Sequence, residues 1–240
     1  MSTIYRLDQA GLALEVIESL INGQQGSSRQ AFVLIIDEIN RANISKVFGE
    51  LITLLETDKR EGEANAITVK LPYSGSEFCV PSNLYVVGTM NTADRSIALL
   101  DTALRRRFDF QELLPDASSL PENLIDGVDL RAMLNAMNER IEYLFDRDHT
   151  IGHAYFIHVK SLADLDKVFR HKVIPLLQEY FFENWSKVQS ALNDKDGNFV
   201  EVKSGIPFGL EATSDGVDPK PRYRVRGEPF TATAYVKIYQ

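Results

Sequence analysis

Hydrophobic positions recur along this chain with two periods. Ala10, Leu14, Ile17 and Ile21 lie at helical spacing and predict a helix over 9–22, followed by a polar Gly-rich loop over 23–28. Residues 31–36 are an unbroken apolar run, Ala-Phe-Val-Leu-Ile-Ile. A strand without alternation is buried on both faces, so this run predicts a central parallel strand, and it stops at Asp37-Glu38. Asn43 is placed to cap a helix over 44–57, whose apolar stripe is Ile44, Val47, Phe48, Leu51, Leu54 and Leu55. After a charged loop over 58–65, Ile67, Val69 and Leu71 alternate with Thr68 and Lys70, which predicts a strand over 66–71. Pro72-Tyr73-Ser74-Gly75 is a turn, and 78–80 can return as the partner strand of a hairpin. Leu84-Tyr85-Val86-Val87 predicts a second buried strand, running into Gly88-Thr89-Met90-Asn91. A short helix fits 97–105, and Phe108-Asp109-Phe110 reads as a third strand.

Residues 115–126 read as a linker, and beyond it the period is helical. Leu130, Leu134, Met137, Ile141 and Leu144 mark one helix. Leu162, Leu165, Phe169, Ile174 and Leu177 mark a second helical region, in which Pro175 kinks the helix or begins a new one. Residues 193–198 are a turn cluster, and the tail from 199 is expected to carry short alternating strands. The pattern therefore divides the chain into an α/β part, a helical part and a β-rich tail.

Composition narrows the class. The 240 residues hold 26 Lys and Arg against 34 Asp and Glu, a net charge of −8. That balance excludes a chain that coats nucleic acid over its whole surface, though a local basic face is compatible with it. The single cysteine, Cys79, permits no internal disulfide, which fits a reducing, cytoplasmic setting; in a hairpin strand it reads as a small buried hydrophobe. No apolar run approaches the ~20 residues needed to span a bilayer, and the first seven residues carry no apolar leader segment, so no membrane association is expected.

Candidate chemistry gathers where the two buried strands end. In open α/β sheets ligands sit outside the carboxyl ends of the strands, so Asp37, Glu38 and Asn91 share one edge if those strands are neighbours. An acid at a strand end can hold Mg²⁺, a second carboxylate can activate water, and an amide can position that water against a terminal phosphate. Taken singly, Asn91 reads as a turn residue and Arg105-Arg106-Arg107 as a solvated basic helix end. His149 and His153 lie four apart with no thiolate near, and read as structural rather than as zinc ligands. Trp185, next to Phe181 and Phe182, reads as helical core. Arg222, Arg224 and Arg226 alternate with Tyr223 and Val225, joined by Lys220; a solvated face is the favoured reading, and contact with DNA or an acidic partner the other.

Three stretches together resemble a known family. They are Asp37-Glu38-Ile39-Asn40-Arg41-Ala42-Asn43, Met90-Asn91-Thr92-Ala93-Asp94-Arg95-Ser96 and Asp101-Thr102-Ala103-Leu104-Arg105-Arg106-Arg107-Phe108. They resemble the AAA+ motor subunit of McrB-type, modification-dependent restriction systems. Ile151-Gly152-His153-Ala154-Tyr155-Phe156 and Pro175-Leu176-Leu177-Gln178-Glu179-Tyr180-Phe181-Phe182 are similar to that family's lid. The resemblance implies a partial AAA+ (P-loop NTPase-like) parallel-sheet core with an inserted β-hairpin over 1–115, an α-helical lid over 116–192, and the β-rich tail over 193–240. It implies Asp37 as the Walker B magnesium acid, Glu38 as the catalytic glutamate and Asn91 as sensor 1. Asp94 and Arg95 fall in the element associated in the family with guanine nucleotides, and Arg106 and Arg107 where its arginine finger lies. The implied cofactors are Mg²⁺ with GTP or ATP. The implied partners are a homo- or hetero-oligomeric ring, a McrC-like nuclease subunit and, indirectly, DNA.

One departure from the pattern qualifies this. No Gly-x-x-x-x-Gly-Lys-Ser/Thr loop occurs in the 240 residues, and 23–28 lack its lysine. The expectation is that the family's first two core strands and P-loop helix are not represented here, as in a split, truncated or degenerate subunit. Two readings follow: an NTPase region whose acids need a P-loop from another segment or chain, and a non-catalytic assembly module that docks in a ring, donates an arginine and binds a partner.

Overall fold

A computed structural model describes residues 2–6, 31–91, 102–205 and 221–240. The helix expected over 9–22, the loop over 23–28, the first part of the helix at 97–105, and Asp94, Arg95 and Lys220 lie outside the described residues. The chain divides into two compact units, Met1–Leu114 and Pro115–Gln240.

The first unit is built on a parallel sheet of four strands: β1 (Ser2–Arg6), β2 (Phe32–Ile36), β5 (Leu84–Met90) and β6 (Asp109–Glu112), in the order β2-β5-β1-β6. Between β2 and β5 come α1 (Ile44–Phe48) and the antiparallel pair β3 (Val69–Lys70) and β4 (Glu77–Phe78). Asn43 caps α1, its side chain accepting from the Lys46 N–H at 3.1 Å. The expected helix over 44–57 is α-helical only to Phe48. At Gly49 the backbone turns to a positive φ of 51° and continues as a 3-10 helix to Leu55. Val47, in α1, is two-thirds exposed, whereas Leu54 and Leu55, in the 3-10 stretch, are buried. The helix α2 (Thr102–Arg105) precedes β6.

One expectation for the sheet is corrected. Among the described residues the apolar run at 31–36 is not a central strand. β2 stands at the end of the order, pairs among the described residues only with β5, and leaves Phe32, Leu34 and Ile35 exposed at 54%, 44% and 51%. An unbroken apolar run measures side-chain composition; a strand's rank in the sheet depends on which other segments pair beside it. β5 takes the central place, with Val86 to Thr89 all buried. Ser2–Arg6, for which the hydrophobic pattern predicts no strand, lies in the sheet between β5 and β6. Its Thr, Ile and Tyr are strand-favouring residues, and it gives β5 a hydrogen-bonded neighbour on each side.

Arg60 fastens this unit at the start of β5. It is 1% exposed, donates to the Leu55 carbonyl at 3.1 Å and also to the Leu84 carbonyl. Burial lowers its pKa, a shift that Tyr85 and Glu63 oppose.

The second unit packs α3 (Leu130–Leu144), α4 (Leu162–Val168), α5 (Ile174–Tyr180) and α6 (Trp185–Ala191) around a single core. A π-helical turn, Phe169–Val173, joins α4 to α5 ahead of Pro175. Two further pieces close the core: the antiparallel pair β7 (Val200–Lys203) and β8 (Arg222–Val225), and α7 (Ala232–Tyr239). The short strands expected beyond 199 give way at α7 to a helix. Ala234, Tyr235 and Ile238 lie at helical spacing and are buried, and Thr231 caps the first turn. Among the described residues no helix is long and apolar enough to cross a membrane.

Candidate functional site

The sheet places the sequence-selected acids and amide at one edge. Ile36, the last residue of β2, is level with Gly88, and Arg6 at the end of β1 is level with Met90. Asp37 and Glu38 therefore leave the sheet beside Thr89, Met90 and Asn91, at the carboxyl ends where α/β sheets bind ligands.

Thr89 joins these residues. It is 4% exposed; its hydroxyl donates to Asp37 Oδ1, and the Glu38 N–H donates to the same hydroxyl oxygen at 2.9 Å. One hydroxyl thus fixes the carboxylate of Asp37 and the backbone of Glu38. That backbone is left-handed, φ 50° and ψ 47°, an uncommon state for a residue with a long side chain. The turn it makes starts the short 3-10 helix Ile39–Arg41 and carries Asn40 back towards β5, where its Nδ2 donates to the Asn91 carbonyl at 3.1 Å. Asn40 is buried, and its Oδ1 has no partner among the described residues. Glu38 pairs with Arg41 three residues on; both side chains are well exposed, at 45% and 61%.

The donor set suits a small, hard cation. Mg²⁺ takes one or two carboxylates and completes its shell with water and phosphate oxygens. Asp37 is exposed, with Oδ1 committed to Thr89 and no bond to Oδ2 among the described residues. The buried, unpartnered Asn40 Oδ1 nearby is a free acceptor for an ordered water. No cluster of three or more His, Cys, Asp or Glu capable of holding a metal occurs among the described residues.

The arginine run separates into different environments. Arg105 and Arg106 are exposed, whereas Arg107 turns inward and pairs with Glu56 at 2.8 Å. The two histidines are tied locally in the second unit. His149 Nδ1 meets Asp146 at 2.6 Å between the Phe145 and Tyr180 rings, and His153 Nδ1 accepts from the Asp116 N–H at 3.0 Å. Sequence reasoning passed over Thr89, Asn40, Arg41 and Glu56. Thr89 carried a legible signal, a hydroxyl in an otherwise apolar strand end two residues before Asn91. The pairing of Glu56 with Arg107 carried none.

Comparison with known proteins decides the family. The AAA domain of the dynein-related subfamily matches residues 9–108, and the alpha-helical lid domain of McrB matches 129–189. This chain is a McrB-type AAA+ protein. It is 40% identical over 185 residues to the type IV methyl-directed restriction enzyme EcoKMcrB subunit of Escherichia coli (strain K12), an alignment covering 68% of this chain and 39% of that protein. It is 38% identical over 175 residues to the type II restriction enzyme BsuMI component YdiS of Bacillus subtilis (strain 168), covering 64% of this chain and 50% of that one. The chain thus spans half or less of the length of these curated relatives. The AAA+ match takes in β2, β5 and α2, so every residue of the Asp37–Thr89–Asn91 cluster lies inside it, and the McrB lid match takes in α3 to α5 and the first five residues of α6.

Proposed function

We propose that residues 31–108 form the hydrolytic edge of the motor in a restriction system, acting on GTP or ATP with Mg²⁺. The observation that carries this is the Thr89 hydroxyl, which holds the Asp37 carboxylate and the Glu38 amide together beside Asn91. In this reading Asp37 holds Mg²⁺, which when bound offsets charge on the phosphate oxygens. Glu38 accepts a proton from the attacking water and Asn91 orients that water. To do so Glu38 must leave Arg41, and an ion pair this exposed is weak enough to yield. Asp94 and Arg95 contribute to nucleotide choice. The phosphate cradle, for which these 240 residues hold no motif, comes from another segment or chain.

The same reading assigns a ring of like or related subunits, a McrC-like nuclease partner and DNA as the eventual target. Within the ring Arg106 is the residue presented to a neighbour's nucleotide, because it is exposed while Arg107 is engaged by Glu56. That contrast also serves a second reading, in which the chain hydrolyses nothing and contributes only this arginine to a neighbour.

Both readings are tested in a mixed assembly with a P-loop-bearing subunit. Glu38→Gln is expected to abolish hydrolysis at this chain's site and to leave binding of a fluorescent nucleotide intact. Asp37→Asn is expected to weaken Mg²⁺-dependent binding as well. Arg106→Ala is expected to slow hydrolysis only at the neighbouring site. Equal binding losses in Glu38→Gln and Asp37→Asn contradict the division of roles, and full activity in both leaves only the arginine-donor reading.

A further inference from the structure

The β7–β8 pair has two unlike faces. Val200 is opposite Val225 and Val202 opposite Tyr223, and on this side Tyr223 stacks on Trp185 with ring centroids 6.0 Å apart and its hydroxyl 3.0 Å from that of Ser186. The pair is thereby seated on the helical core. On the other side Glu201 is opposite Arg224 and Lys203 opposite Arg222. Arg222, Arg224 and Lys203 are exposed, and so is Arg226 just past the strand, its Nε donating to the Gly197 carbonyl at 3.2 Å.

Lys203 against Arg222 is a like-charge cross-strand pair, which destabilises a hairpin. Among the described residues the acid on this face is Glu201, 3.8 Å from Lys203 and directly opposite Arg224 in the register. A face that only needed solvation would be better served by alternating signs. The arginines stand two residues apart, a repeat of about 6.8 Å along the strand. A regularly spaced row of planar guanidiniums suits a regularly spaced row of phosphates, which they bind in bidentate fashion.

We infer that the outer face of β7–β8 is a docking surface for the phosphodiester backbone of duplex DNA, held by Arg222, Arg224 and Arg226 with Lys203. It reads no bases: the contact is electrostatic and independent of sequence. It belongs to the second unit, whereas the nucleotide edge belongs to the first, and its test uses neither nucleotide nor a partner subunit.

The experiment uses the full chain and a labelled, random-sequence DNA duplex, with affinity followed by anisotropy across salt from ~50 to ~200 mM. The wild-type chain is expected to bind with a steep inverse dependence on salt. The triple variant Arg222→Gln, Arg224→Gln, Arg226→Gln is expected to bind about tenfold to a hundredfold more weakly, with a log–log salt slope shallower by about 2–3. Trp185 emission reports whether Tyr223 is still stacked, and so whether the hairpin remains seated. Glu201→Gln keeps the strand and removes the acid, and is expected to tighten binding severalfold. Absence of wild-type binding at the lowest salt overturns the inference. So does an unchanged slope in the triple variant, weaker binding in Glu201→Gln, or displacement of the DNA by poly-glutamate as readily as by unlabelled duplex. The last result would make the face a dock for an acidic protein.

Discussion

Thr89 and Glu38 set the terms at the scale of single residues. A left-handed glutamate costs free energy that its surroundings must offset, and the hydrogen bond from its N–H to the Thr89 hydroxyl is one of the contacts that does so. Thr89→Val keeps the shape of the side chain but strips Asp37 of a donor and the Glu38 N–H of its acceptor. Asp37 and Glu38 are exposed and can turn to water, so the loss is that of an ordinary hydrogen bond: Thr89→Val is expected to lower unfolding stability by ~0.5–1.5 kcal/mol, and Thr89→Ser to restore most of it. Urea titration of the two variants checks this. Equal losses would mean that the threonine methyl, not the hydroxyl, matters. Asp37, Glu38 and Asn91 are recognisable as a group from strand ends and family resemblance. Thr89 was legible only as an odd hydroxyl, because the strand register that brings it beside Asp37 is set by pairing between segments 51 residues apart.

Among the elements, α4 shows how local chemistry fixes a helix start. Ser161 and Asp164 cap reciprocally: the Asp164 N–H donates to Ser161 Oγ at 3.2 Å, and the Ser161 hydroxyl donates to the Asp164 carboxylate at 2.8 Å. That hydroxyl, and then the Lys160 N–H, hold the Asp164 carboxyl below the usual carboxylate range. A group whose folded pKa is depressed stabilises the fold above its unfolded pKa, and the contribution fades as pH falls through the folded value. Stability of the wild-type chain is therefore expected to decline below about pH 4 in part through Asp164. Asp164→Asn is expected to flatten that part of the profile, which thermal unfolding from neutral to acid pH would measure. An unchanged acid limb would remove Asp164 from the account. The Asn43 cap was readable in the same local way. The 3-10 continuation after Gly49 was not, because the apolar stripe over 44–55 satisfies either winding.

On the scale of the whole molecule, the largest described core belongs to the second unit. Phe199 stacks on Phe169 at 5.5 Å, meets Phe230 edge-on at 4.9 Å and Tyr235 at 5.4 Å, and so joins the start of the tail, the π-helical turn and α7. Burial raises the Tyr235 phenol far above its ordinary pKa, so it stays neutral within this cluster. Phe199→Ala is expected to cost ~3–5 kcal/mol, since truncating a buried aromatic removes its contacts and leaves a cavity. Trp185, the one tryptophan, lies in the same unit and reports the transition by fluorescence in denaturant. A loss below ~1 kcal/mol would show that the ring cluster repacks around the gap.

By itself the sequence determined what depends on near neighbours along the chain. That covers the helical period of the lid, the Asn43 cap, the acids at the end of an apolar run and the family motifs. Tertiary structure decided what depends on distant segments. It put β2 at the end of the sheet and β5 at its centre, slotted Ser2–Arg6 between β5 and β6, turned Arg107 in to Glu56 while Arg106 faces out, and wound α7 where strands were expected. Periodicity records which faces of a segment are apolar; strand order and side-chain pairing depend on which remote surfaces cover those faces, and no local pattern encodes that choice.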